Sequence, residues 1–183
     1  MKMSVHRTPI SAELPFVLAD VKDHIRIDGD TSEDAAIARM AQTAAAEIEH
    51  FAQIALLTQT ITVTILNPSR GHTLALPIGP AQTTDRPVVT INGDPFSAFG
   101  FVAGFRPIIH WTADFQAMAP VEPVIEYTAG FGLTAAEIPH DLAQALLDQA
   151  ALHYDGRSPM DAKSLTTSPH MARVGARYRG VSL

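Results

Sequence analysis

The sequence predicts an α+β protein: an N-terminal helix pair and a C-terminal helix forming a small bundle, a β-rich insertion between them, and an extended C-terminal tail. Three observations carry this. Apolar residues recur at helical spacing near both ends of the chain, whereas the middle switches to period two, as in TQTITVTIL at 58–66. Pro and Gly punctuate the middle into short pieces. After Tyr154 the sustained apolar period stops and basic residues take over.

Within LADVKDHIRI, Leu18, Val21 and Ile25 lie on one helical face, which predicts a short helix over about 17–26. Asp28-Gly29-Asp30 breaks it. Thr31 with Asp34, or Ser32, offers an N-cap to a second helix over about 33–56. Its stripe is Ile37, Met40, Ala41, Ala44, Ile48, Phe51 and Ala55, and seven alanines between 35 and 46 favour helix. The small residues of the stripe allow another helix to approach closely.

The insertion spans about 58–130. Ile61, Val63 and Ile65 alternate with Thr60, Thr62 and Thr64 as a half-buried strand. TLALPIGP, PVVTING with its Asn92-Gly93 turn, FGFVAGF, RPIIHW and PVIEYTAG read as further β pieces. A last helix over about 139–154 follows from Leu142, Ala145, Leu146, Ala150 and Tyr154 on one face. Residues 1–157 therefore read as one domain and 158–183 as a basic tail.

Composition bounds the chemistry. The 183 residues are 46% hydrophobic and 17% charged, the balance of a packed domain. With no Cys, disulfides and thiolate sites are excluded, which suits a reducing compartment. No apolar run approaches 18 residues, so neither a signal peptide nor a membrane span is expected. Net charge is −6, unevenly spread: residues 1–155 carry 8 basic and 18 acidic side chains, net −10, and residues 156–183 carry 5 and 1, net +4. The acidic body is expected to repel nucleic acid. The tail's Arg157, Lys163, Arg173, Arg177 and Arg179 suit phosphate, an acidic protein surface, or simple solvation.

Several motifs invite chemical readings. Gly130-Phe131-Gly132-Leu133-Thr134-Ala135 fits G-x-G-x-x-G/A after a strand. A dinucleotide site needs a buried parallel strand, a helix opening at the glycines and a further strand beyond. Here Ile125, Tyr127 and Ala129 alternate with polar residues, Pro139 moves the helix start to about 139, and no strand follows. The glycines instead read as a flexible strand-to-helix turn. Asp28, Asp30 and Ser32 have the spacing of a calcium loop, but Glu33 stands where that loop needs Gly and Arg39 where it needs Glu. The eight histidines include no close ligand pair, and Asp20–His24 and Glu47–His50 read as solvated helix pairs. No nucleophile elbow or phosphate loop is present, so no enzyme, cofactor or metal site is nominated.

The order of features resembles the phage head–tail connector (adaptor) family, the small connector ring proteins of HK97-type phages and of phage-derived gene transfer agents. The resemblance rests on VKDHIRIDGDTSEDAAIARMAQTAAAEIEHF (21–51), LLTQTITVTI (56–65), LPIGP (76–80), and YTAGFG (127–132) followed by IPHDLAQALL (138–147) and HYDGR (153–157). Tyr127, Gly130, Gly132 and Pro139 mark its most specific turn. It covers about 14–157; the tail and FGFVAGFRP depart from it. It implies a connector domain over 1–157 and a non-enzymatic structural protein of the virion or phage-like particle, made in the bacterial cytoplasm. Its implied partners are further copies in a ring, expected to be twelvefold, the portal protein above, and a stopper or other neck or tail protein below. DNA passes through the channel without specific binding, and no membrane is involved. Arg157, Arg173, Arg177 and Arg179 are the expected portal contacts, and deleting 158–183 is expected to spare the fold of 1–157. The alternatives are a stopper or tail-completion protein, or a small soluble enzyme or ligand-binding domain.

Overall fold

The computed structural model describes residues 1–27, 29–68, 71–118, 122–157 and 167–179. Along the chain run β1 (Lys2–Pro9), α1 (Leu18–His24), α2 (Asp34–Ala52), β2 (Gln59–Leu66), β3 (Thr73–Ala75), β4 (Val88–Ile91), β5 (Asp94–Pro95), β6 (Phe99–Val102), β7 (Ile108–Trp111), α3 (Ala113–Ala117) and β8 (Pro123–Ala129). A 3-10 turn at Ala135–Glu137, α4 (His140–Asp155) and α5 (Pro169–Tyr178) complete it. The fold class is α+β. Two compact units are present: residues 1–11 with 58–130, holding the strands and α3, and residues 12–57 with the chain from 131 on, holding the other helices.

In the strand unit, an antiparallel five-stranded sheet has the order β1-β2-β8-β4-β5. Its register sets Val5, Val63, Ile125 and Val89 in one row across four strands. Ile61, Val63 and Ile65 are buried where threonines alternate with them, as period two dictates. A second sheet, β3-β7-β6, aligns Leu74, Ile109 and Phe101. The FGFVAGFRP segment supplies β6 and the turn into β7. Trp111 stacks on Phe115 with ring centroids 4.0 Å apart, which joins α3 to β7.

Strand β1 is not among the expected elements. Its partner is found through backbone pairing with β2, residue against residue from Lys2↔Leu66 to Pro9↔Gln59. An edge strand needs only a neighbour's backbone, so its sequence carries a weak apolar signal.

In the helical unit, α2 buries Ile37, Ala41, Ala44, Ala45, Ile48 and Ala52, and α4 buries Leu142, Ala145, Leu146 and Ala150 in the same core. The alanines bring the two helices close, and dispersion over their short side chains replaces bulk. Helix α2 is shorter than the expected 33–56 because Gln53 turns left-handed at φ 55°. Neither Thr31 nor Ser32 caps α2: Glu33 holds the N-cap position without a side-chain cap, and the Ser32 N–H donates to Asp30 Oδ1 at 2.8 Å.

The expected extended tail is helical in part. Helix α5 packs Met171 and Val174 into the bundle core. Ser168 caps it, accepting from the Met171 N–H at 3.0 Å, and Pro169 opens its first turn. Lys163 lies outside the described residues.

Candidate assembly surface

The turn that marks the family resemblance is built for structure at each of its four residues. Tyr127 is buried in the strand unit, 4% exposed. Its hydroxyl accepts from the Ile78 N–H at 3.1 Å and donates to the Ile78 carbonyl at 2.9 Å, pinning the LPIGP loop to β8. Burial pushes its phenol well above the ordinary range. Gly130 sits at φ 143°, a conformation side chains disfavour, and its N–H donates to the Pro80 carbonyl at 2.9 Å.

Gly132 opens the helical unit's side of the turn. A Cβ there would overlap the Glu137 carboxylate. That carboxylate accepts from the N–H groups of Leu133 at 2.8 Å and Thr134 at 3.0 Å, and from the Thr134 hydroxyl at 3.1 Å. The backbone bond from Thr134, then that from Leu133 and the Thr134 hydroxyl, hold Glu137 below its ordinary carboxyl range. The loop therefore binds an anion, but the anion is its own glutamate, which stands where a phosphate would have to lie. Pro139 holds the N-cap position of α4, and its carbonyl accepts from Leu142 at 2.9 Å and Ala143 at 3.0 Å.

The four arginines expected to face a partner divide sharply. Arg157 donates to Glu33 Oε1 at 2.8 Å and lies over the Tyr154 ring, 3.9 Å from its centroid. The Tyr154 hydroxyl donates to the other Glu33 oxygen at 2.8 Å, so one carboxylate ties the start of α2 to the end of α4. The bonds from Tyr154 and then Arg157 hold Glu33 below its ordinary range. Arg177 donates to Asp141 Oδ2 at 2.8 Å, and the Tyr178 hydroxyl donates to Oδ1 at 2.9 Å. Burial, then Asp141, pushes the Tyr178 phenol up to about 12. Arg179 lies 5.8 Å from the centroid of Phe51. Three of the four thus fasten helices of the bundle to one another. All four are exposed, and Arg173 on α5 is the member of the set that makes no ion pair or ring contact among the described residues.

Histidine pairing is likewise tertiary. His24 pairs with Asp148 at 3.1 Å, not with Asp20, and Glu47 meets His153 at 3.0 Å, not His50. His170 reaches the second Asp148 oxygen at 2.6 Å, so Asp148 on α4 joins α1 and α5. The buried Gln149 links α2 to the entry of α5, donating to Glu47 at 2.8 Å and accepting from the Ser168 N–H at 2.7 Å. The Asp30 turn is held by Lys22, whose ammonium donates to the Asp30 carbonyl at 2.7 Å; Asp28 lies outside the described residues. Among the described residues no group of three or more His, Asp or Glu is placed to hold a metal ion. A groove of about 260 Å³ in the helical unit is lined by apolar residues such as Phe16, Ile138, Leu146 and Leu147, with Asp20 and His140 as its ionisable side chains. Apolar side chains make up most of its lining.

No protein-family model matches the chain, and no curated protein matches it in sequence. Solved structures do. A chain in the virion of a native gene transfer agent (GTA) particle is 26% identical with a TM-score of 0.75, covering 98% of this chain and 96% of that one. A chain in the neck of an empty GTA particle, computed with C6 symmetry, is 26% identical with a TM-score of 0.74 and coverages of 98% and 97%. A chain in the neck of a native GTA particle, computed with C12 symmetry, is 27% identical with a TM-score of 0.71 and the same coverages. The chain is built as a phage-type neck protein along nearly its whole length. As a neck protein it is a structural part of a phage-like particle. Near-complete coverage in both directions means that β1 and α5, which the sequence reading leaves out, lie within the aligned span.

The serviceable signal for α5 was in the sequence: Ser168-Pro169 is a cap-and-first-turn pair, and Met171, Val174 and Tyr178 follow at helical spacing.

Proposed function

We propose that this neck protein is the head–tail connector, or adaptor, of its particle. Copies form a closed ring beneath the portal, extend the DNA channel and carry the rest of the neck and tail. The observation that supports this best is the full-length similarity to a chain in a neck computed with C12 symmetry. A twelvefold ring needs two different surfaces on each copy, because heterologous contacts close a ring and isologous ones do not. The net −10 over residues 1–155 suits a wall past which DNA slides, since clustered fixed cations would hold phosphate.

Portal contact is assigned to the basic C-terminal part, with Arg173 the first candidate on α5, since Arg157, Arg177 and Arg179, though exposed too, are engaged with Glu33, Asp141 and Phe51. Purified chain mixed with the portal protein of the same particle tests this by mass measurement and negative-stain imaging. The expected result is a collar on the portal's tail-facing end. A chain that ignores portal but joins a tail tube or a neck ring further down overturns the connector assignment.

A further inference from the structure

Strand β1 ends the five-stranded sheet, and β2 is its strand partner. Its ladder phase is fixed by one bond, the Ile10 N–H donating to the Thr58 carbonyl at 3.3 Å. In an antiparallel pair both backbone groups of a residue point to the same side, and the side alternates along the strand. Even-numbered residues of β1 therefore bond to β2, and Met3, Val5, Arg7 and Pro9 turn their backbone outward. Pro9, which has no N–H to offer, stands on that outward phase, where edge prolines belong.

Most edge strands are blunted by brevity, a bulge or an internal proline. This edge is eight residues long, and its register runs unbroken from Lys2 to Pro9. Outward from Met3 and Val5 the N–H and C=O groups meet no strand among the described residues. Met3 and Val5 also share the face of Ile65 and Val63, so the buried apolar face of the sheet runs on to the edge, where Val5 is 40% exposed.

We infer that β1 accepts an extended segment of another protein as an additional antiparallel or parallel strand, and that this segment alternates apolar with acidic side chains. The apolar half follows from Met3 and Val5. The acidic half follows from charge: β1 carries Lys2, His6 and Arg7 and no carboxylate, and β2 carries no charge at all. A second copy of β1 is the poorer occupant, because antiparallel self-pairing centred on Val5 sets Lys2 against Thr8, His6 against Ser4 and Arg7 against Met3, so the seam gains no pair of opposite charges. The strand shares no residue with the α5 arginines, so the inference stands or falls apart from the portal assignment.

The test uses the full chain and a synthetic peptide that alternates Glu with Val and Ile, read by amide hydrogen exchange. Added peptide is expected to slow exchange at Met3 and Val5 by about tenfold or more, with amides bonded to β2 unchanged. Val5→Pro removes an outward donor and no bond to β2, and it is expected to abolish protection. Lys2→Glu keeps every donor and is expected to weaken it, which decides the matter if the proline variant folds poorly. Three results overturn the inference: no protection at millimolar peptide, equal protection by a peptide with Lys in place of Glu, or a dimer of the chain itself that protects the same two amides without peptide.

Discussion

The Glu137 carboxylate fills the space that a side chain on Gly132 would need, and it takes the backbone donors that make the glycine turn resemble a nucleotide loop. The glycine is required by what lies beside it: the glutamate must fold back over the turn to complete the Thr134 capping box. An anion site and a helix cap use the same physics, orphan N–H groups meeting negative charge. Here the chain supplies its own anion.

Gly132→Ala is therefore expected to lower the melting temperature by a few degrees, by displacing Glu137, while Glu137→Ala lowers it through the lost cap. The double variant should melt higher than the sum of the two single losses, because the added methyl then has room. Glu137 is held below its ordinary carboxyl value of 4.5. Its contribution is present above that pH and is lost as pH falls through the depressed folded value. The gap between wild type and Glu137→Ala should close in acid, and thermal melts across pH check it.

Helix α5 makes a clean deletion of the tail impossible. Removing everything after Arg157 uncovers the core where Met171 and Val174 sit. Met171→Ala is expected to cost about 2–5 kcal/mol in urea unfolding. Truncation should cost more, and it should broaden or split the transition of the helical unit. A truncated chain as stable as the full one would mean that α5 does not pack as described.

All three tyrosines are held above the free phenol value of 10.0: Tyr127 by burial, Tyr154 by its bond to Glu33, and Tyr178, pushed up to about 12, by burial and Asp141. Stability from a raised folded value is full below pH 10 and drains away as pH rises past it. Near-ultraviolet titration at pH 10 should show little phenolate in the native chain, and about half in the urea-unfolded chain. Tyr127→Phe strands both Ile78 backbone groups and should cost about 1–3 kcal/mol.

Charge reversal separates partner contact from internal bracing. Arg173→Glu is expected to leave the melting temperature unchanged and to weaken portal binding. Arg177→Glu meets Asp141 across 2.8 Å and should loosen α5 before any partner is added. Melting curves and portal pull-down, run side by side on both variants, check the distinction. Equal binding by wild type and Arg173→Glu would remove α5 from the portal contact.

The sequence by itself determined the local periods and the turn chemistry. Threonines alternating with Ile61, Val63 and Ile65 can make only a one-sided strand, and the alanine stripe of α2 only a helix that packs closely. The glycines of the marker turn, with Tyr127 before and Pro139 after, were legible as a strand passing into a helix. Only the tertiary structure decided the partners. Backbone pairing recruited β1, whose own side chains say little. His24 and Glu47 passed over their helix neighbours for Asp148 and His153, because helices pack by faces while sequence shows only neighbours along one face. Three arginines of a segment that reads as a solvated basic tail engage side chains of the bundle at its surface for the same reason. Glu33, Asp141 and the Phe51 ring lie far from them in sequence and beside them in the folded bundle.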